Sequence, residues 1–256
     1  MQNRNMKADL HIHTVLSPCG DLEMSPGNII AEARKKKLAI IGITDHNSTR
    51  QVPLIRELGL EAGITVLAGV ELNTREEVHC LAFFPTPERT DAFQAFLDKH
   101  LPDIPNVPEK FGYQVVVDRD DMIIYEEKKL LISALDADIK TLERAVHEYD
   151  GIFIPAHINK TFASILSQLG FVPPDLHCDA LEVSPHVTPE TFLAENDLLR
   201  SYAFIQSSDA HYIADIGKVS TTLELSDTSF ESIKKAIRNH FISCSPAHEG
   251  VESENR

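Results

Sequence analysis

Short apolar runs alternate with amphipathic segments along most of the chain, and this alternation predicts strands followed by helices. The apolar runs predict strands at residues 7–12, 38–44, 65–71, 78–84, 151–157, 180–184, 203–207 and 221–225. Apolar positions at helical spacing predict helices at residues 26–37, 52–62, 88–100, 138–149, 164–169, 190–196 and 229–239. Repeated strand-then-helix units with short connections are typical of a parallel sheet. This many units in one chain favour a closed or nearly closed α/β barrel.

One region departs from the alternation, between about residues 101 and 129. Several prolines precede two β-rich runs between Gln114 and Tyr125, with a polar turn at residues 118–121 separating them. This pattern predicts a hairpin inserted on the rim of the barrel. A lid, an oligomer contact and a plain surface excursion are all compatible with it. Residues 1–248 are predicted to form one domain, and residues 249–256 a polar tail.

Composition and charge narrow the function classes. With 256 residues, 43% of them hydrophobic, the chain can bury the core of one large α/β domain. Its formal net charge of −15 argues against a stable, charge-driven nucleic-acid complex, but leaves open a nucleotide or an oligonucleotide end. The polar first residues and the lack of a long apolar run predict no signal peptide and no membrane partner. Four scattered cysteines are typical of reduced thiols, which predicts a cytoplasmic protein.

Histidines and carboxylates recur where the predicted strands end. His11 and His13 lie two residues apart at the end of the first strand, so both imidazoles project from one face. The carboxyl-terminal ends of barrel strands form one face, where residues far apart in sequence converge. Mixed imidazole and carboxylate ligands suit zinc, manganese or iron(II), and they disfavour calcium. The residues that recur at these ends are His11, His13, His46, Glu71, His79, His157, Asp209 and His211.

The ordered set of motifs resembles the PHP family, the polymerase and histidinol phosphatase domains. The matching motifs are Asp9-Leu-His-Ile-His-Thr14, Thr44-Asp-His-Asn47, Gly69-Val-Glu71, His79, Ala156-His157 and Ser208-Asp-Ala-His211. The resemblance implies a distorted (β/α)7 TIM-like barrel that holds two or three divalent metals. Amidohydrolases also open with His-x-His, but they use a modified lysine as the bridging ligand, and here that part of the chain carries Glu71 and His79.

The resemblance also implies three ligand sets. One metal would bind His11, His13, Glu71 and Asp209, and a second would bind His79 and His157 with Glu71 as the bridge. His46 and His211 would hold a third, together with a residue of the loop after the first strand. Asp21 is the predicted ligand from that loop, with Glu23 and Cys19 as alternatives. Asp45 is expected to support the ligands rather than to bind metal.

The expected activity is phosphoester hydrolysis by a metal-bound hydroxide, in which Glu71, Asp209 and His211 take part directly. A small phosphomonoester or a nucleotide is the expected substrate. The alternatives are an exonuclease or phosphodiesterase acting on oligonucleotide ends, and a non-catalytic metal-binding scaffold. Side chains near the strand ends are candidates for holding the phosphate. These substrate-binding candidates are Asn47, Asn159, Lys160 and His186.

Overall fold

A computed structural model describes residues 3–241 as a mixed α/β fold. The strands are β1 (Arg4–Ile12), β2 (Ile40–Ile43), β3 (Thr65–Asn73), β4 (His79–Phe84), β5 (Val115–Val117), β6 (Ile123–Glu126), β7 (Ile152–Pro155), β8 (Leu181–Val183), β9 (Phe204–Gln206) and β10 (Thr221–Leu225). The helices are α1 (Pro26–Lys35), α2 (Val52–Ala62), α3 (Pro87–His100), α4 (Pro108–Phe111), α5 (Ile139–Glu148), α6 (Ile165–Leu169), α7 (Pro189–Glu195) and α8 (Phe230–Arg238). Each predicted strand and helix is present, with its ends displaced by a few residues at most. The predicted tail at 249–256, the domain boundary at 248 and Cys244 lie outside the described residues.

The central sheet has six strands in the order β10-β1-β2-β3-β4-β7, and it curls around the core. The parallel prediction is correct for β1, β2 and β3 but wrong for the rest of this sheet. β4 pairs antiparallel with both β3 and β7, and β10 pairs antiparallel with β1. The turn from β3 to β4 is too short for the helical crossover that a parallel pair requires. It therefore reverses the chain and places His79 opposite Asn73.

Two shorter strands continue the curl. β8 and β9 form a separate parallel pair. The Ile158 amide donates to the Glu182 carbonyl at 2.8 Å and so connects the end of β7 to β8. On the other side, the His13 amide donates to the Ala210 carbonyl at 3.0 Å. The ends of β1, β2, β3, β7, β8 and β9 and the start of β4 thus meet at one common mouth.

The sheet is packed closely around Phe83 of β4, whose side chain is fully buried. Glycines in the neighbouring strands make room for it. A Cβ atom at Gly42 would lie 2.8 Å from the Phe83 ring, and one at Gly69 would lie 2.5 Å from it. Real Cβ contacts are not this short, so β2 and β3 require glycine at these two positions.

The predicted hairpin is present as β5 and β6, which pair antiparallel. Reciprocal hydrogen bonds link it to the loop after β2: the Gln51 side-chain amide donates to the Val117 carbonyl, and the Val117 amide donates to the Gln51 side chain. The segment therefore lies beside the mouth. On its outer strand, Met122, Ile123 and Ile124 are each 64% exposed.

No helix within residues 3–241 combines the length and the apolar character needed to cross a bilayer. Cys19, Cys80 and Cys178 are free thiols. The cytoplasmic location stays a prediction.

Candidate metal centre

Glu71 lies at the middle of a cluster of histidines at the mouth of the fold. Its side chain is 1% exposed, and both of its carboxylate oxygens face imidazole nitrogens. Oε1 lies 3.3 Å from His11 Nε2, 2.9 Å from His79 Nδ1 and 3.1 Å from His157 Nε2. Oε2 lies 3.4 Å from His13 Nε2 and 3.1 Å from His46 Nδ1. Both oxygens of one carboxylate thus lie among imidazole nitrogens, and the bridging role that the resemblance implies for Glu71 stays a prediction.

Asp209 adds a second carboxylate beside the first histidine pair. Its Oδ1 lies 3.4 Å from His11 Nε2 and 3.6 Å from His13 Nε2, and these two nitrogens are 3.3 Å apart. The four side chains predicted to hold one metal therefore meet. His79 and His157, the histidines implied for the second metal, face the same Glu71 oxygen as His11 does.

A third group of potential ligands includes a cysteine. Ligand atoms of His13, Cys19, His46 and His211 all lie within 4.8 Å of one another. Asp21, the residue predicted from this loop, is not in any such group within residues 3–241. One of its carboxylate oxygens accepts the Glu23 backbone N–H at 2.8 Å instead. Glu23 itself is exposed.

Burial dominates the electrostatics of the cluster. It lowers the pKa of His13 to about 3, and it also lowers the pKa of His46 and His157. Burial opposes the negative charge of Glu71, but the surrounding histidines, His79 first, hold its pKa well below the usual range. The metal-competent forms of these groups, neutral imidazole and ionised carboxylate, are thus the favoured ones near neutral pH.

Two buried nitrogens of the cluster, His46 Nδ1 and His157 Nδ1, have no hydrogen-bond partner among the described residues. His46 Nδ1 is close to Glu71 Oε2, yet the two atoms do not have the geometry of a hydrogen bond. An orphaned buried nitrogen beside a carboxylate, as at His46, and imidazole nitrogens that face each other, as at His11 and His13, are what ligands of a shared cation present. The donor set therefore fits divalent transition metals.

Backbone strain is concentrated in the same place. Asn47, His157 and Asp209 have φ angles of 46°, 31° and 52°, in the left-handed region that non-glycine residues rarely occupy. Each follows directly on, or closely after, the end of a strand at the mouth. Such strain is typical of residues that the surrounding fold holds in a functional position.

The family model for the PHP domain matches residues 9–241 of this chain. The chain belongs to the PHP domain family. The match extends from the first metal-binding motif to the end of the described residues.

Known proteins with the same architecture differ in size. Endonuclease Q, a lesion-specific endonuclease from Pyrococcus furiosus, has a TM-score of 0.69 at 20% identity over 92% of this chain and 56% of that chain. A Bifidobacterium adolescentis protein assigned as a metal-dependent phosphoesterase has a TM-score of 0.60 at 19% identity over 94% and 99%. The uncharacterised protein YqxK of Bacillus subtilis is 26% identical over 268 residues, covering 92% of this chain and 62% of its own length. This chain spans less than two thirds of the curated relatives that it matches. At these identities the structural likenesses establish the fold.

Two buried aspartates of the PHP domain hold the ligand loops in place. Asp45 accepts hydrogen bonds from the Thr14 amide and the Ser17 hydroxyl, both at 2.7 Å, and Ser17 Oγ lies 3.0 Å from His13 Nδ1. Asp9 accepts from the Ser208 amide at 3.0 Å and from the Gly217 amide at 2.8 Å. Burial raises the pKa of Asp9 to about 6 despite these bonds. Asp45 thus has the supporting position that the sequence predicts.

Glu182 is the residue that the sequence analysis missed. Its carboxylate is buried beside His11 Nδ1 at 3.0 Å, and it also accepts the His157 amide at 3.0 Å. Burial opposes protonation of His11, but Glu182 and the two cluster carboxylates raise the pKa of its imidazole well above the usual value. A carboxylate behind a ligand imidazole fixes the ring and increases its basicity. A charged residue inside the apolar run 180–184 was the available indication.

We expect Glu182→Gln to weaken metal binding by about 10- to 100-fold, because glutamine keeps the shape but removes the charge that orients His11. Competition with a chromophoric chelator measures this loss. Glu190→Gln, an exposed change on α7, is the matched control and should bind as the wild type does. Wild-type affinity in Glu182→Gln would exclude this role for Glu182.

Two of the predicted phosphate-binding residues, Asn47 and Asn159, form hydrogen bonds to loops of the protein. The Asn47 side-chain amide donates to the Leu131 and Ser133 carbonyls, at 2.7 and 2.9 Å. Asn159 Oδ1 accepts the Ser184 amide at 2.8 Å, and its Nδ2 donates to the Ser184 hydroxyl at 3.0 Å. These bonds join both side-chain amides to neighbouring loops, and a phosphate-binding role for Asn47 and Asn159 stays a prediction.

Lys160 and His186 have different surroundings. Lys160 Nζ forms an ion pair with Asp209, and its side chain is 23% exposed. It is therefore next to the candidate ligand cluster and accessible from the mouth. His186 is exposed in the turn after β8. Lys160 is the predicted phosphate-binding residue that the structure brings to the cluster.

Proposed function

We propose that this PHP domain is a metal-dependent phosphoester hydrolase. The observation that supports the proposal is the convergence of six histidines on Glu71 and Asp209 at one mouth, with orphaned nitrogens among them. All the recognisable ligand motifs are intact, which disfavours the scaffold alternative. We also propose the finer fold, a distorted seven-stranded barrel, because hydrogen bonds connect β7 to β8 and the loop after β9 to β1.

Bound divalent cations would lower the pKa of water at the site and neutralise the charge of a phosphoryl group. Zinc, manganese and iron suit the imidazole and carboxylate donors. Glu71 and Asp209 would hold the cations, and His211, whose side chain is 26% exposed, would hold one at the open edge. Lys160 leaves Asp209 and binds a phosphate oxygen as the substrate enters. The leaving alcohol takes its proton from solvent.

The charges around the mouth favour a small phosphomonoester, such as a nucleotide. Arg50, in the loop after β2, forms a two-point ion pair with Asp98 at 2.7 Å. Arg75, in the turn between β3 and β4, pairs with Asp136 at 2.6 Å. Cations that carboxylates already hold do not form the basic groove that follows a nucleic-acid strand. A net charge of −15 also disfavours a polyanion.

Nuclease activity is the second candidate, and the likeness to endonuclease Q favours it. That likeness covers 92% of this chain and includes the structure of endonuclease Q with a duplex substrate carrying an abasic lesion. A nuclease would use the same cluster and would differ only in how the rim receives its substrate.

Hydrolysis assays with zinc, manganese or iron(II) added would test the proposal. The substrates are a phosphomonoester panel that includes nucleotides, single-stranded oligonucleotides, and duplexes with and without an abasic site. We expect phosphate release from the monoesters, and its loss in Asp209→Asn. Cleavage of oligonucleotides alone would replace the first candidate by the second. Metal binding without hydrolysis of any of these substrates would indicate the scaffold and contradict the proposal.

A further inference from the structure

Cys19 lies in the loop between β1 and α1, beside the histidines of the third ligand group. We propose that the Cys19 thiolate, with His46 and His211, binds a thiophilic divalent cation such as zinc at the mouth. This inference rests on the proposed metal centre, since it assigns one further ligand to it. The supporting observation is that these three residues and His13 present ligand atoms within 4.8 Å of one another.

Backbone hydrogen bonds hold the Cys19 loop against the rest of the site. The Ser17 amide donates to the Thr14 carbonyl at 3.1 Å, and the Gly20 amide donates to the Ser17 carbonyl at 2.9 Å. A Cβ atom at Gly20 would lie 2.4 Å from the Thr14 carbonyl oxygen, so this tight turn requires glycine next to the cysteine. The loop conformation thus presents Cys19 to the histidines.

A second contact fixes the loop to one of the proposed ligands. The Asp21 amide donates to the His211 carbonyl at 2.9 Å, so the segment that carries Cys19 and the segment that carries His211 are joined directly. Asp21 contributes its backbone here, while its side chain caps the turn at Glu23. The acidic residues of the loop therefore leave the cysteine as the side chain that reaches the cluster.

A thiolate changes the metal preference of this position. Sulfur and imidazole ligands select zinc, cobalt and iron(II), whereas magnesium, calcium and manganese prefer oxygen. The ligands around Glu71 and Asp209 include carboxylate oxygens, but the Cys19 position has a sulfur and two imidazoles. Three protein ligands also leave a coordination position open, as in catalytic zinc sites. The centre would then contain one thiophilic position beside two positions with mixed imidazole and carboxylate ligands.

Cobalt substitution gives a readout that is independent of hydrolysis. The full-length, reduced protein is depleted of metal and titrated with cobalt(II), and the near-ultraviolet sulfur-to-cobalt charge-transfer band is recorded together with the bound cobalt per chain. We expect the band in the wild type, and its loss with one cobalt equivalent in Cys19→Ser. Cys19→Asp should again bind the cobalt equivalent that Cys19→Ser loses, but without the charge-transfer band, because aspartate has no sulfur. Cys178→Ser and Cys244→Ser are matched cysteine controls, and Asp21→Asn tests the other loop residue; all three should keep the band.

Two results would overturn the inference. One is cobalt binding to the wild type without a charge-transfer band, and the other is a band that persists in Cys19→Ser. Circular dichroism of Cys19→Ser and Cys19→Asp shows whether a lost band or lost cobalt equivalent comes from misfolding. If both variants misfold, the presence or absence of the charge-transfer band in the wild type still tests the inference. Failure of the proposed function would look different, because a protein that shows the band but hydrolyses no phosphoester keeps the Cys19 site and loses only the activity.

Discussion

Replacing Glu71 by glutamine is expected to abolish phosphoester hydrolysis while the protein stays folded. The two Glu71 oxygens face five imidazoles at 2.9 to 3.4 Å, so this one carboxylate contacts both sides of the centre. Glutamine has the same shape but carries no charge and offers one oxygen. Because Glu71 is placed as a direct ligand, we expect a loss of activity larger than the 10- to 100-fold that is typical for a supporting residue.

Rates under saturating metal, with metal content per chain and a thermal melt, make this test specific. The stability should change little, because the substitution removes a buried negative charge without leaving a cavity. Glu190→Gln is again the matched control, since Glu190 is exposed on α7. Wild-type turnover in Glu71→Gln would exclude the bridging role, whereas an unfolded variant would show that Glu71 serves the fold instead.

The metal-free protein is expected to lose stability below pH 6.5 through its buried histidines. Burial lowers the pKa of His46 well below 6.5 in the folded state, so its contribution to stability is present above pH 6.5 and is lost as the pH falls. Each such proton changes the free energy of unfolding by about 1.4 kcal/mol per pH unit. Asp9, whose pKa is raised to about 6, works in the opposite direction, so the histidine contribution has to be isolated by substitution.

The comparison of the wild type with His46→Gln isolates the contribution of His46 to the pH dependence of the free energy of unfolding. Urea unfolding in chelator at several pH values between 6.5 and 4.5 should give a wild-type curve that falls relative to the variant, by up to about 1.4 kcal/mol per pH unit. His186→Gln, in an exposed turn, should follow the wild type. Parallel curves for wild type and His46→Gln would show that His46 is not held neutral in the folded protein.

The positions of the strands and helices were predictable because they depend on residues that are close together in the sequence. Apolar runs and helix starts such as Ser25-Pro26 depend on neighbouring residues alone, and α1 begins at Pro26 as expected. Strand direction depends on connections, and there the assumption of a uniformly parallel sheet was wrong. The spacing of only six residues between the predicted strands 65–71 and 78–84, without a helical pattern, indicated a reversal. That reversal is what brings His79 to Glu71.

The candidate site was predictable as far as its motifs extend. The histidines and carboxylates of those motifs meet at one mouth, because each lies in or next to a strand end there. Cys19 and Glu182 lie outside the clearest motifs, and their roles depend on a loop conformation and on the packing of β8 behind β1. Asn47 and Asn159 have polar side chains near the strand ends, as a phosphate-binding residue would, but in the structure these side chains bond to neighbouring loops. Side-chain partners at this level are tertiary properties that a single sequence does not specify.

The position of β1 between β2 and β10 has a consequence for biosynthesis. Arg4 pairs with Leu225, and Asp9 bonds to the loop at Ser208, so the first strand completes its contacts only with the last part of the described chain. Pairings this distant in sequence make folding slow. On the ribosome, His11 and His13 emerge long before Asp209. The proposed metal centre can therefore form only after the segment that carries Asp209 and β10 has been synthesised and has folded against β1.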